Sequence, residues 1–586
     1  MKRFFKHIKP YWIFFALSPI LMIFEVFCDV QIPTLSAEII NLGITNYDNA
    51  VIIKIALKMV LTLCVAASCG IGASYCATRA SANFCHDVRE EVFTKIQDFS
   101  FLNIDKFSTG SLVTRLTNDI TQVGDLVVMC LRMMFRAPGM LIGAIVMAYA
   151  ISPSLSLIFV VLAPILVVII SIILYFAFPK FAQLQKKVDA LNTNIQEGLI
   201  NIRVIKAFTR EKHEEKRFTE VNEDLKNTSL KAYRINILQT PLMTMAVNLS
   251  TIAILWFGSK AVSNSDILIG DVSALITYLA QILMAVSSIA NIFMQFSRSF
   301  ISVRRLAEVL DENVDISDLN VQSPEKTVDS GSIEFKNVCF KYFKDSQDNV
   351  LNDISLKIES GQTVGIVGST GSGKSSFVHL IARLYDVTSG SVLVDGVDVK
   401  QYNLHNLREG VAMVLQQNLL FSGTIKENLL WGKVDASDDE LVLISDYAAA
   451  HEFIKDKEDG YNTVIDQGGL NLSGGQKQRL CIARALMKQA KILILDDSTS
   501  AVDSATELKI RHHFEHDLKD MTKLIIAQRI SSVMHSDMII VLNDGEISDV
   551  GTHKELLQNS HVYREIYRSQ MDNGDTSLKE EVSING

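Results

Sequence analysis

Gly368-Ser-Thr-Gly-Ser-Gly-Lys-Ser375 satisfies the pattern G-x-x-x-x-G-K-[ST] in full, and the residues on either side supply the setting that pattern needs. Upstream, Gln362-Thr-Val-Gly-Ile-Val367 has the length and apolar content of a buried strand. Downstream, Ser376-Phe-Val-His-Leu-Ile-Ala382 has the composition of a helix. In a strand–loop–helix of this kind the glycines let backbone N–H groups curl around phosphate oxygens at the helix N-terminus. In such a loop Lys374 would bring a point charge to the terminal phosphates, and the Ser375 hydroxyl would be offered to Mg²⁺. Gly368, Ser369, Thr370, Gly371, Ser372, Gly373, Lys374, Ser375 and Ser376 are therefore candidate contacts for a nucleotide.

Two further stretches belong with this loop. Lys491-Ile-Leu-Ile-Leu-Asp496 reads as a second buried strand that ends in an acid, the arrangement that sets a carboxylate beside Mg²⁺. It continues as Asp497-Ser-Thr-Ser-Ala-Val-Asp503, so Asp496 is followed at once by a second carboxylate. Between loop and strand, Leu472-Ser-Gly-Gly-Gln476 precedes Lys477-Gln-Arg-Leu-Cys-Ile-Ala-Arg-Ala-Leu486, which has helix composition. Taken alone, Leu472–Gln476 is either a glycine-rich turn with Ser473 as N-cap or an anion-binding helix start. Because the chain already owns one phosphate loop, a second such site makes sense facing a nucleotide held by another subunit.

The rest of the chain is of a different kind. At 586 residues it is too long for one domain, and up to about Phe300 it is dominated by long apolar runs, whereas the part after about Asp311 is charged and glycine-punctuated. Six apolar segments reach the roughly 20 residues that a bilayer core requires: 11–31, 53–77, 133–151, 155–178, 241–261 and 272–296. Lys and Arg concentrate before the first segment, between the second and third, and between the fourth and fifth. Positive-inside counting puts both termini and the two long loops in the cytoplasm, with the chain multi-pass in the cytoplasmic (inner) membrane. The basic N-terminus and its apolar run resemble a signal peptide, but the run is too long and contains Glu25, so it reads as a span.

Glu25 and Asp29 stand one turn apart on one face of that first span, as either a polar wall facing substrate or a packing feature near the outer surface. Arg132 and Arg136 flank the third span and read as snorkelling or capping residues. Helix-period apolar residues in 188–208 continue the fourth span as a stalk, and the tips at 101–107 and 203–208 are short amphipathic pieces suited to docking. The net charge of −9 and the lack of a basic stripe argue against nucleic acid as a partner. Eight singly scattered cysteines, without a Cys-x-x-Cys pair, read as packing residues rather than disulfides or metal ligands.

The combination of phosphate loop, Leu472-Ser-Gly-Gly-Gln476 and acidic strand end in one domain resembles the ATP-binding cassette (ABC) transporter family. The six-span half makes the chain similar to a half-transporter of the exporter type. That resemblance implies an all-α six-span membrane domain (1–310) with long cytoplasmic helical extensions. A linker (311–331), an α/β P-loop ATPase domain with a signature-bearing helical subdomain (332–572) and a disordered tail (573–586) follow. It implies ATP and Mg²⁺ as ligands, with Ser375, Gln416 and Asp496 at the metal and Tyr342 stacked on adenine. Leu472, Ser473, Gly474, Gly475 and Gln476 then close over the ATP of a second subunit, Asp503 closes the loop that crosses to that partner, and the tips at 101–107 and 203–208 become coupling helices.

Two positions depart from the family pattern, and both concern hydrolysis. Where the family carries its general-base Glu this chain has Asp497, and in place of the switch His it has Gln528, in Ile525-Ile-Ala-Gln-Arg-Ile530. Gln donates a hydrogen bond but cannot carry the imidazolium charge. With Leu472–Gln476 intact, the expectation is a heterodimer, resembling the asymmetric exporters of bacteria: a weak site at this chain's own loop, and a competent one whose Glu and His come from a second half-transporter. The expected cargo is a hydrophobic or amphipathic compound, since the spans offer Met133, Met134, Phe135, Met284, Phe293 and Met294. The rival expectation is an ATP-binding regulatory subunit or an ATP-gated pore. The absence of a peptidase-like segment before residues 1–12 argues against a leader-cleaving peptide exporter, and the union of membrane and ATPase halves in one chain against an importer.

Overall fold

A computed structural model describes residues 2–318, 324–343, 346, 348–497 and 502–572. The expected tail at 573–586, part of the expected linker, residues 498–501 and the side chain of Met294 lie outside the described residues. Contacts divide the chain into two units, Met1–Gln97 with Thr109–Glu312, and Asp98–Ser108 with Asn313–Gly586.

In the first unit, among the described residues, six helices are long and apolar enough to cross a membrane: Phe5–Ile44, Asn49–Gln97, Thr109–Ile151, Pro153–Ile200, Glu211–Ser263 and Ile269–Phe293. The first five have roughly twice the residues a 30 Å hydrocarbon core requires, so the helices run on beyond it. The fourth extends as expected but stops at Ile200, short of the end of the 188–208 apolar period, because the helix breaks at Asn201 before the separate helix Ile202–Ala207. The short helix Ile202–Ala207 caps the longest pair, with Ile202, Val204 and Phe208 exposed. Small residues let the first and third spans approach. A Cβ on Gly139 would lie 3.2 Å from Val26 Cγ1, and one on Gly143 would lie 2.9 Å from Val30 Cγ2. This is the close packing that small residues four apart give in membranes.

The intramembrane acids are paired. Arg136 Nη2 lies 3.4 Å from Glu25 Oε1 and 3.3 Å from Asp29 Oδ2. Arg136 therefore does not snorkel or cap; two carboxylates across the helix interface supply what water cannot at that depth. Tyr278, fully buried, donates to the Val30 carbonyl at 2.7 Å. At the start of the chain Arg3 donates to the Leu310 carbonyl at 2.7 Å, near the C-terminal end of the helix Ile269–Asp311, where a cation complements the helix dipole.

In the second unit a six-stranded sheet runs in the order Glu546–Gly551, Met538–Asn543, Thr363–Gly368, Thr522–Ile526, Ile492–Asp496, Val411–Val414, parallel except at the first pair. Ile492–Asp496 and Thr522–Ile526 are buried at every position, as expected of strands covered on both faces. A second, antiparallel sheet holds Leu351–Ile358, Ile333–Phe340, Ser389–Val394 and Val397–Asp398. The helix Phe101–Phe107 belongs to this unit. Its N-cap Ser100 and Asn103 form a reciprocal capping box, Leu102 packs on the apolar core and Asp105 accepts from Tyr385 Oη at 3.2 Å.

Candidate functional site

The strand Thr363–Gly368 ends at the bottom of a cleft of about 810 Å³, and the loop after it forms the floor. Two glycines in the loop are there for steric reasons. A Cβ at Gly368 would fall 2.1 Å from the Leu542 carbonyl oxygen, and Gly373, at φ +92°, takes a left-handed turn as N-cap of the helix Lys374–Ile381. Ser372 Oγ is buried without a partner among the described residues. Lys374 Nζ donates to the carbonyls of Gly368 (2.9 Å) and Ser369 (2.8 Å), holding an ammonium inside the loop. Burial pulls the Lys374 pKa down, opposed by the carboxylates of Asp496 and Asp497. An ammonium and a helix N-terminus around a glycine-lined hollow fit a polyphosphate.

Tyr342, Gly368, Ser369, Thr370, Gly371, Gly373, Lys374, Ser375, Ser376, Gln416, Asp496, Asp497 and Gln528 all line this cleft, so most of the sequence candidates converge on it. Tyr342 is held edge-on to Tyr385 at 5.0 Å, and its hydroxyl lies 2.7 Å from Ser376 Oγ, which ties the aromatic to the helix that follows the loop. Ser375, Gln416 and Asp496 supply hydroxyl, amide and carboxylate oxygens to one wall, the hard donor set that suits Mg²⁺. Asp496 is buried at the strand end, with His379 Nε2 4.0 Å away. Burial lowers the His379 pKa, against the pull of Asp496, and keeps the ring neutral near pH 7.

Asp497 takes a left-handed conformation at φ +51°, tolerable for Asp more than for most residues. Its carboxylate accepts from Gln528 Nε2 at 2.7 Å. The two positions that depart from the family pattern are thus hydrogen-bonded to one another. Burial first and Asp496 second hold the Asp497 carboxyl above its ordinary value, while the Gln528 hydrogen bond and the Lys374 charge work the other way.

Leu472, Ser473, Gly474, Gly475 and Gln476 do not line the cleft. Ser473 caps the helix Gly474–Met487: its Oγ accepts from the Gln476 N–H at 3.3 Å, and its own N–H donates to Gln476 Oε1 at 3.1 Å. Asp503 also lies off the cleft, capping Ser504–His516 by accepting from the Thr506 N–H (3.0 Å) and hydroxyl (2.8 Å), bonds that hold its carboxyl below the usual range. One wall was not anticipated. Val562, Glu565, Ile566, Ser569 and Gln570, from the helix His561–Asp572, also line the cleft.

The family model for the ABC transporter transmembrane region matches residues 15–286, and that for the ABC transporter matches residues 351–500. The uncharacterized ABC transporter ATP-binding protein YfiB of Bacillus subtilis (strain 168) is 39% identical over 573 residues, covering 97% of this chain and 98% of the relative. The chain belongs to the ABC transporter family. A second relative of this ABC transporter, the uncharacterized ATP-binding protein MT1311 of Mycobacterium tuberculosis (strain CDC 1551 / Oshkosh), is 36% identical over 96% of the chain and 97% of its own length. The putative multidrug export ATP-binding/permease protein YgaD of Bacillus subtilis is 31% identical, covering 97% of the chain and 99% of YgaD. A solved bacterial Atm1-family ABC exporter with ATP bound shares the fold at a TM-score of 0.78, with 24% identity, 96% of this chain and 98% of that chain covered.

Proposed function

We propose that this ABC transporter chain is the weak-site subunit of a heterodimeric exporter, carrying hydrophobic or amphipathic compounds out across the cytoplasmic membrane by alternating access. The observation that carries the reading is the Asp497–Gln528 hydrogen bond in the cleft that also holds the phosphate loop. Lys374 and the loop N–H groups hold the phosphates of ATP, Ser375, Gln416 and Asp496 hold Mg²⁺, and Tyr342 takes the adenine. Bound Mg²⁺ neutralises charge on the terminal phosphates. The Asp497 carboxylate is one methylene short of the Glu that reaches an attacking water, and its Oδ2 is occupied by the Gln528 amide. General-base assistance is worth roughly 10²–10⁴ in rate, so ATP at this site outlasts many turnovers elsewhere.

The intact Leu472–Gln476, away from the chain's own cleft, serves the ATP of a partner half-transporter that supplies Glu and His. Both termini and the loops that carry 101–107 and 203–208 face the cytoplasm, where those pieces couple nucleotide closure to the spans. The proposed domain limits are 1–310, 311–331 and 332–572, with the piece 98–108 packing as part of the ATPase unit. Export as the direction is supported by the similarity to YgaD, a putative multidrug export protein.

The same Asp497–Gln528 contact also favours a second reading, an ATP-held regulatory subunit or ATP-gated pore. Inside-out vesicles containing this chain and its partner separate the two. An exporter accumulates a lipophilic dye against a gradient in the presence of ATP, whereas a switch or pore only equilibrates it. Asp497→Ala is expected to leave more than half of the ATP turnover of the pair; a loss of about a hundredfold would show instead that Asp497 is the working base.

A further inference from the structure

The helix His561–Asp572 does more than wall the cleft. Gln570 reaches the loop after Thr522–Ile526 with both ends of its side-chain amide: Nε2 donates to the Gln528 carbonyl at 2.8 Å, and Oε1 accepts from the Ile530 N–H at 2.9 Å. A side chain thus takes the place of a neighbouring strand for this short stretch of backbone. From the same residue, Gln528, the side-chain amide runs on to Asp497 Oδ2 at 2.7 Å. Two hydrogen bonds joined through Gln528 itself therefore connect the helix His561–Asp572 to Asp497, just past the strand Ile492–Asp496.

The chemistry of the clamp is specific to an amide. A carboxylate in place of Gln570 keeps an acceptor for Ile530 but sets an oxygen against the Gln528 carbonyl. A methionine has a similar length and offers neither bond. Without the clamp, two backbone groups trade their partner for water and the backbone that aims Gln528 loosens.

We propose that Gln570 is a positioning residue for this nucleotide site: by fixing the backbone of 528–530 it aims the Gln528 amide at Asp497, closes that end of the cleft and slows nucleotide release. This rests on the reading that the cleft holds ATP. The C-terminal helix is thereby a built-in determinant of how long the weak site stays loaded.

The test uses the full-length chain in lipid nanodiscs, loaded with Mg²⁺ and fluorescent ATP and diluted into unlabelled ATP. Lys374→Ala comes first. If the wild type retains no label that Lys374→Ala removes, the ATP-binding reading itself fails. Given retention, Gln570→Met is expected to release label about tenfold faster, the size of two neutral hydrogen bonds, with Gln570→Glu between it and the wild type. Because Gln570 acts through Gln528, adding Gln570→Met to Gln528→Ala is expected to change the rate by less than about twofold, an outcome a general loss of stability does not produce. Release at the wild-type rate from both Gln570 variants overturns the inference, as does a full tenfold effect in the Gln528→Ala background.

Discussion

Asp497 and Gln528 touch, so on the proposed weak-site reading they act together rather than as two independent departures from the family pattern. Restoring both together is the informative experiment: Asp497→Glu with Gln528→His, in the assembled pair whose partner Glu is replaced by Gln, is expected to raise Mg-ATP hydrolysis by roughly 10²–10⁴, and either change alone by much less. Steady-state phosphate release measures it, and a double variant no faster than the wild type would mean that these side chains do not limit hydrolysis. His379 gives a second test at this scale. Its ring is buried beside Asp496, and burial places its pKa below the ordinary 6.5. In the window between the folded value and 6.5 the unfolded chain binds a proton that the folded chain does not, so unfolding takes up protons there. Stability is accordingly full above about pH 6.5 and falls as the pH drops below it. The Tm of the full-length chain is expected to drop between pH 7.5 and pH 5.5, and His379→Gln to flatten that drop; an unchanged slope in the variant would assign the pH dependence to other groups.

Among the elements, the first and third spans meet where Gly139 and Gly143 admit Val26 and Val30. A branched side chain at 143 cannot be accommodated there without moving Val30, so Gly143→Ile is expected to cost about 1–3 kcal/mol, read as a lowered Tm in detergent, and Val30→Ala added to it to recover part of the loss. A failure of Val30→Ala to recover stability would place the strain elsewhere. What was readable in the sequence follows from how each signal is written. The spans are continuous apolar runs, and the strand Ile492–Asp496 is an apolar run stopped by an acid, so both can be found from neighbouring residues. The pairing of Arg136 with Asp29 joins residues 107 apart and leaves no local trace; periodicity shows only that each lies on its own helix face. The wall formed by His561–Asp572 was missed for the same reason. Its apolar residues announce an amphipathic helix but not the surface that helix covers, and Gln570 looks like any solvent-facing glutamine until its two backbone partners are seen.

At the scale of the whole molecule, the decisive fact is a separation: Leu472–Gln476 retains every residue of its pattern yet does not line the cleft that holds the phosphate loop. Ser473 and Gln476 spend their polar atoms on capping Gly474–Met487, so the N-terminus of that helix is ordered and ready to meet an anion brought by another chain. If the partner brings it, the two ends of this chain's ATPase domain serve different ATP molecules, and damage to each has different consequences. Ser473→Arg places a bulky cation at the helix start without touching Lys374 or Asp496. It is expected to abolish the turnover of the assembled pair while this chain's own loop still retains labelled ATP. Lys374→Ala is expected to do the reverse, emptying this chain's site while turnover falls by only a few-fold. Measuring phosphate release and retained label on the same preparation reads both quantities at once. Turnover that survives Ser473→Arg would remove the partner's ATP from the signature and with it the unequal pair, because this chain would then have an intact Leu472–Gln476 with no nucleotide to serve.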